Sequence, residues 1–172
     1  MKERGFVFNS FSTPVMEFEN EIRRARIFSM GYERDPICNP FPRLFVGDGK
    51  RLSKSFLKSL NVTHVVNCAT NDACPLYIPS KQYACIHAID GTEPIMKWYP
   101  KFKHVLDAFL TDPMCQNIYI HCQCGINRSV ALTLAYVVRT YNVPVKTCFK
   151  KMLAQRPCIL TNPSFLKDIS CL

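Results

Sequence analysis

The feature that most restricts the fold of this chain is the run from Asn117 to Tyr141. The segment Asn117-Ile118-Tyr119-Ile120-His121-Cys122 reads as a strand. It passes without a spacer into Gln123-Cys124-Gly125-Ile126-Asn127-Arg128 and then into a strongly apolar helical stretch, Ser129 to Tyr141. A cysteine therefore stands at the end of a buried strand, five residues separate it from an arginine, and a helix begins at once. In such a loop the backbone N–H groups can converge on an anion, and the helix N-terminus adds the positive end of its dipole. Gly125 frees the loop to take a conformation that a Cβ resists. Arg128 offers a planar, permanently charged fork that can grip two oxygens of a phosphate. The features that hold a phosphate also favour the ionised, nucleophilic form of a thiol, so Cys122 could attack phosphorus and form a phosphocysteine. Ser129 is placed to donate a hydrogen bond to that sulfur when it later leaves.

Upstream of this run, strands and helices alternate. Arg43 to Asp48 reads as a short strand ending in a glycine turn, Ser53 to Leu60 as a helix, and Thr63 to Thr70 as a buried strand. Tyr83 to Ile89 reads as a further strand that opens into a loop at Asp90-Gly91-Thr92. From Lys97 to Leu110, Trp98, Phe102, Val105, Leu106 and Phe109 share one helical face. Val145 to Gln155 is another helix, stopped by Pro157, and Asn162 before Pro163 starts a last one. This order argues for an α/β domain. Residues 1–35 form an extension in which Phe18, Ile22, Ala25 and Phe28 recur at helical spacing from Glu17 to Phe28. That amphipathic helix docks either on the body or on a second copy, making a homodimer. A Pro-rich connector with Pro36, Pro40 and Pro42 leads into residues 36–172.

Composition narrows the setting. No segment approaches the roughly 18 apolar residues that a membrane-spanning helix requires, so no membrane insertion is expected. The N-terminal MKERGFVFNS carries charges where a signal peptide needs an apolar core, and Lys2 stands where myristoylation needs glycine. Ten cysteines do not make a disulfide scaffold here, because Cys68, Cys85 and Cys148 sit in apolar, patterned segments, where a free thiol is a small hydrophobe. A reducing, intracellular setting is expected: cytoplasmic, with nuclear or virion-associated locations compatible, and not secreted. The formal charge of +9 points to anionic partners without choosing among them.

The string His121-Cys122-Gln123-Cys124-Gly125-Ile126-Asn127-Arg128-Ser129 resembles the signature of the cysteine-dependent phosphatases: His-Cys, five variable residues, Arg, then Ser or Thr. The resemblance runs from about Arg43 to the end of the chain. Within it, Asn127-Arg128-Ser129 and Ile159-Leu160-Thr161-Asn162-Pro163-Ser164-Phe165 are most similar to the small poxvirus virion phosphatases of the dual-specificity family. The resemblance implies a central, mostly parallel sheet flanked by helices, and a catalytic domain over residues 36–172. It implies that Cys122 is the nucleophile, Arg128 the phosphate clamp, and Gln123 to Asn127 the phosphate-binding backbone. It places a general acid on a loop ahead of the cysteine, matched by Asp90, 32 positions before Cys122. Read on its own, Asp90-Gly91 is a turn dipeptide. Glu93 is the fallback acid, and Asp72 and Asp107 read as surface charges. His121 matches the family's histidine that braces the loop. Asn162 either bonds the loop from a neighbouring turn or simply starts the last helix. His64, His87 and His104 read as structural or surface residues.

Cys124 departs from the common loop pattern. It is either an inert cysteine or a resolving thiol for Cys122, the latter strained by their closeness in sequence. Zinc ligation by His121, Cys122 and Cys124 lacks a Cys-x2-Cys pair and gives Arg128 no purpose, so no metal and no cofactor are expected. Phosphorylated proteins are the expected partners, with dephosphorylation of tyrosine and of serine or threonine, because the chain is too short for the additions that deepen tyrosine-specific pockets. An RNA 5′-triphosphatase is the alternative, favoured by Asn127-Arg128 and the positive charge and disfavoured by the presence of Asp90. A phosphoprotein-binding pseudophosphatase predicts loss of Cys122, Arg128 or Asp90, and all of them are present.

Overall fold

A computed structural model describes residues 14–70 and 74–172; residues 1–13 of the extension and Asp72 lie outside the described residues. Five strands form one sheet in the order β1-β2-β5-β3-β4. They are β1 (Cys38–Phe41), β2 (Leu44–Asp48), β3 (Val62–Asn67), β4 (Tyr83–Cys85) and β5 (Asn117–Cys122). The β1–β2 pair is antiparallel, and the other pairings are parallel. The helices are α1 (Pro14–Arg26), α2 (Lys54–Ser59), α3 (Tyr99–Thr111), α4 (Arg128–Tyr141), α5 (Val145–Gln155) and α6 (Pro163–Ser170). The expected α/β architecture with a mostly parallel sheet is what forms.

The sheet is covered on both faces, as parallel strands require. The larger core lies under α1, α3, α4, α5 and α6, and receives Val66 of β3 with Ile118 and Ile120 of β5. The smaller one lies under α2 and takes Leu57, Val65 and Tyr119. Central β5 thus sends Ile118, Ile120 and Cys122 to the α4 side, and Tyr119 and His121 to the other. Period-two alternation alone fixes which way the cysteine points. Because β5 lies between β2 and β3, its C-terminal end opens into the crevice where ligands of open α/β sheets bind.

Three elements differ from the sequence reading. The Pro-rich connector contains an edge strand, β1, since Pro40 is tolerated where one side of a strand has no neighbour. Strand β4 stops at Cys85 because His87 takes a left-handed backbone (φ 62°), although Ile86 and Ala88 N–H groups still bond the carbonyls of Asn67 and Cys68. Helix α1 begins earlier, at Pro14, and ends at Arg26, leaving Phe28 74% exposed instead of on the packed face. The cause is Asp35, whose buried carboxylate accepts from Ser29 Oγ (2.5 Å) and Met30 N (2.8 Å) and draws the chain into a turn. Phe18 and Ile22 pack in the larger core of the same chain, with Phe18 edge-on to Phe149 of α5 at 4.6 Å.

The thiols behave as the patterned segments imply. All ten are free, and burial pushes Cys148 up to about 11 and Cys38 up to about 12. His64 is buried against Phe109 with Nε2 3.1 Å from Asp112, while His87 and His104 are exposed. Asp107 is half-buried and accepts from Tyr136 Oη at 2.7 Å, so it is tied to α4 and is not a plain surface charge. No helix among the described residues is long and apolar enough to cross a membrane.

Candidate active site

Cys122 ends β5 with 2% of its surface exposed, and Ser129 Oγ donates to its Sγ at 3.3 Å. The loop between them turns at Gly125 (φ +64°), and a Cβ there would stand 2.3 Å from the backbone carbon of Gly47. Gly125 is thus fixed by conformation and by packing together. Gly125→Ala is expected to destabilise the fold by about 2–4 kcal/mol through left-handed strain and backbone overlap. Urea unfolding measures this; a loss under about 1 kcal/mol would show that neither constraint acts.

Arg128 opens α4 and is 8% exposed. One Nη donates to the carbonyl of Ala88 at 3.2 Å, whereas Nε is buried without a protein acceptor among the described residues. A buried guanidinium N–H at a helix N-terminus calls for an anionic acceptor. Asn127, the N-cap residue of α4, makes no capping bond to its own helix. Its Nδ2 instead donates to Asp90 Oδ2 at 3.1 Å, and its Oδ1 accepts from Asn162 N (3.1 Å) and Thr161 Oγ1 (3.3 Å).

Asn162 starts α6, and its side chain reaches the Asp90–Gly91 turn, while its backbone N–H is what meets the phosphate loop, at Asn127. Asn162 Oδ1 accepts from Ser164 N (2.9 Å) and Phe165 N (3.3 Å), capping α6. Its Nδ2 donates to Asp90 Oδ1 (2.8 Å) and to the carbonyl of Gly91 (2.9 Å). Asp90 is therefore held against the loop by two asparagines that belong to different elements. Glu93 turns away and pairs with Lys97 on the surface. His121, on the opposite face of β5, places Nδ1 3.2 Å from the Cys122 carbonyl and stacks on Tyr119, whose hydroxyl donates to the carbonyl of Asp48 at 2.8 Å. A half-open cavity of about 470 Å³ lies over Cys122 and Arg128, walled by Leu52, Thr70, Tyr77 and Tyr83.

Behind the loop sits a residue that the sequence reading did not single out. Arg156 is fully buried. Its Nε donates to the Gly125 carbonyl (2.8 Å) and Nη2 to those of Cys124 (2.9 Å) and Tyr32 (2.9 Å). Nη1 donates to the carbonyls of Asp35 (3.0 Å) and Pro36 (2.8 Å), and Asp48 Oδ2 lies 4.0 Å away. Pulling the loop carbonyls outward turns their peptide planes, so that N–H groups are presented to the cavity side. The signal in the sequence was an arginine directly before Pro157, ahead of the apolar Cys158-Ile159-Leu160. Its partners lie 31 to 124 positions away, beyond local patterns. Cys124 is half-buried, and burial raises the affinity of its thiol for a proton.

A thiol thus stands at the base of an arginine-bearing loop, between a central strand and the helix that follows. Residues 44–171 match the family described as dual specificity phosphatase, catalytic domain, and the chain belongs to that family. It is 31% identical over 142 residues to dual specificity protein phosphatase 1-B of Xenopus laevis and 30% over 141 to dual specificity protein phosphatase 1 of Homo sapiens. In each case 80% of this chain is covered and 37% of the relative, so the chain spans little more than a third of those proteins. Among solved structures, human DUSP28 superposes with a TM-score of 0.67 at 20% identity, over 79% of this chain and 91% of that one. The OH1 phosphatase of Orf virus superposes at 0.62 and 16% identity, over 89% and 95%. At these identities the likeness is one of fold.

Proposed function

We propose that this chain is a protein phosphatase that hydrolyses phosphotyrosine and phosphoserine or phosphothreonine through a phosphocysteine. The observation that carries the reading is that Cys122, Ser129 and Arg128 share one loop while Asn127 and Asn162 tie Asp90 to the same loop. The phosphate sits in the loop with its oxygens on backbone N–H groups and on Arg128. Cys122 Sγ attacks phosphorus in line and the phosphorus–oxygen bond to the substrate breaks. Asp90 passes its proton to the leaving oxygen. In the second step a water attacks the phosphocysteine and gives a proton back to Asp90. The sulfur then leaves as a thiolate stabilised by the Ser129 hydroxyl, and inorganic phosphate is released. His121 steadies the loop backbone. Residues 36–172 carry this chemistry, and the extension adds the carbonyls of Tyr32 and Asp35 to the clasp on Arg156.

The test is phosphate release by the wild type and Asp90→Asn from phosphotyrosine, phosphoserine and phosphothreonine peptides and from 5′-triphosphate RNA. The variant is expected to lose about 10²-fold or more in peptide turnover, the usual contribution of a positioned acid. Turnover of phosphotyrosine alone would remove the dual specificity. Activity confined to RNA and indifferent to Asp90 would replace this reading with the triphosphatase.

A further inference from the structure

Helix α1 precedes the residues matched to the family, and its charges are divided between two sides. Two of its acids face α5, with Glu17 2.8 Å from Lys146 and Glu21 3.4 Å from Lys150. The last turn carries Arg23, Arg24 and Arg26. Among the described residues, neither Arg23 nor Arg26 has an ion-pair or hydrogen-bond partner. Favourable placement at a helix C-terminus accounts for basic residues there in general, but not for where these two sit. Both line a pocket of about 310 Å³ whose floor is Ile22 and Leu166 and whose far wall is Thr161 and Pro163. Glu19 also lines it, so two guanidiniums stand against one carboxylate and the pocket stays net positive.

The far wall belongs to the catalytic rim. Thr161 Oγ1 donates to Asn127, the residue before the phosphate-clamping arginine, and the next residue, Asn162, holds Asp90. Through Thr161 the pocket thus adjoins the segment that bonds Asn127 and holds Asp90. Guanidinium forks are suited to phosphate and carboxylate oxygens and are less strongly hydrated than lysine ammoniums, so they give up water readily to such a ligand.

We propose that Arg23 and Arg26 form a subsite for a second anionic group of the substrate, a neighbouring phosphate or a carboxylate side chain, so that the substrates are multiply phosphorylated or acidic segments. The inference rests on the phosphatase reading above and names its substrate class.

The test compares kcat/KM for three peptides built on one phosphotyrosine sequence: neutral flanks, glutamate flanks, and a second phosphate on a flanking threonine. p-Nitrophenyl phosphate, too small to reach the pocket, reports on the chemistry alone. The full chain is expected to favour the doubly phosphorylated peptide about tenfold or more over the neutral one, with the glutamate peptide between them. The pair Arg23→Glu with Arg26→Glu is expected to bring that ratio to about one while p-nitrophenyl phosphate turnover stays within about twofold, since the change is confined to exposed side chains. The pair Lys54→Glu with Lys58→Glu on α2 alters net charge equally and is expected to keep the preference. A wild-type ratio near one, a preference that survives the arginine reversal, or one lost equally with the α2 lysines overturns the subsite. No hydrolysis of any of these substrates by the wild type overturns the phosphatase reading itself.

Discussion

Cys122→Ser is expected to abolish phosphate release, lowering turnover by on the order of 10⁴-fold or more, in a protein that still folds and still binds phosphopeptide. The substitution exchanges one small atom at a position with 2% exposure, so packing is nearly unchanged. A hydroxyl at that place is a poor nucleophile near neutral pH, and the group bonded there among the described residues, the hydroxyl of Ser129 3.3 Å from the sulfur, is itself a donor. What binds the phosphate survives, because the loop backbone, Arg128 and the start of α4 do not depend on the sulfur. The expected signature is therefore a split: catalysis lost, affinity for a phosphotyrosine peptide retained within about tenfold. Phosphate release and peptide binding by calorimetry, on the same preparation, read both halves. Residual turnover at a tenth of wild type would mean that another group attacks phosphorus and that the role given to Cys122 is wrong. Loss of binding together with catalysis would mean instead that the thiol shapes the loop.

How far the sequence exposes this site depends on how local each part is. Cys122, Gly125, Arg128 and Ser129 fall within one strand–loop–helix run, and the alternation along β5 already determines that Cys122 faces α4 while His121 faces away. Those residues were legible because period and spacing carry the information. Asp90 was accessible only through a resemblance, since an aspartate before glycine is an ordinary turn by itself; its placement depends on Asn127 and Asn162, 37 and 72 positions away. Asn162 shows the limit of choosing between roles: one amide oxygen caps α6 while the amide nitrogen holds the Asp90 loop, because the two ends of an amide bond independently. Strand β1 stayed hidden behind Pro40, whose cost to a strand vanishes at an edge. Arg156 stayed hidden for a different reason. Its acceptors are backbone carbonyls, which leave no trace in residue types.

That hidden residue carries the second large effect. Arg156→Met is expected to cost about 3 kcal/mol or more, corresponding to a fall of about 6–12 °C in Tm for a domain of this size. Methionine fills the volume but donates nothing. Five carbonyls, from Tyr32, Asp35, Pro36, Cys124 and Gly125, lose a charged donor at a site sealed from water. Asp48, buried as completely, keeps Arg51 at 2.8 Å but loses the second positive charge 4.0 Å away. The loss should also reach the chemistry. With the Cys124 and Gly125 carbonyls released, their peptide planes are free to turn and the loop no longer presents its N–H groups preorganised, so phosphate binding weakens even where the protein is folded. Arg156→Lys separates the two effects: a single ammonium keeps the buried charge near Asp48 but cannot span carbonyls on both the loop and the 32–36 segment. The lysine variant should regain part of the Tm while its KM for phosphopeptide remains several-fold above wild type. Thermal unfolding and steady-state kinetics well below Tm decide the matter. An Arg156→Met protein with unchanged Tm and KM would show that the clasp behind the loop holds nothing in place.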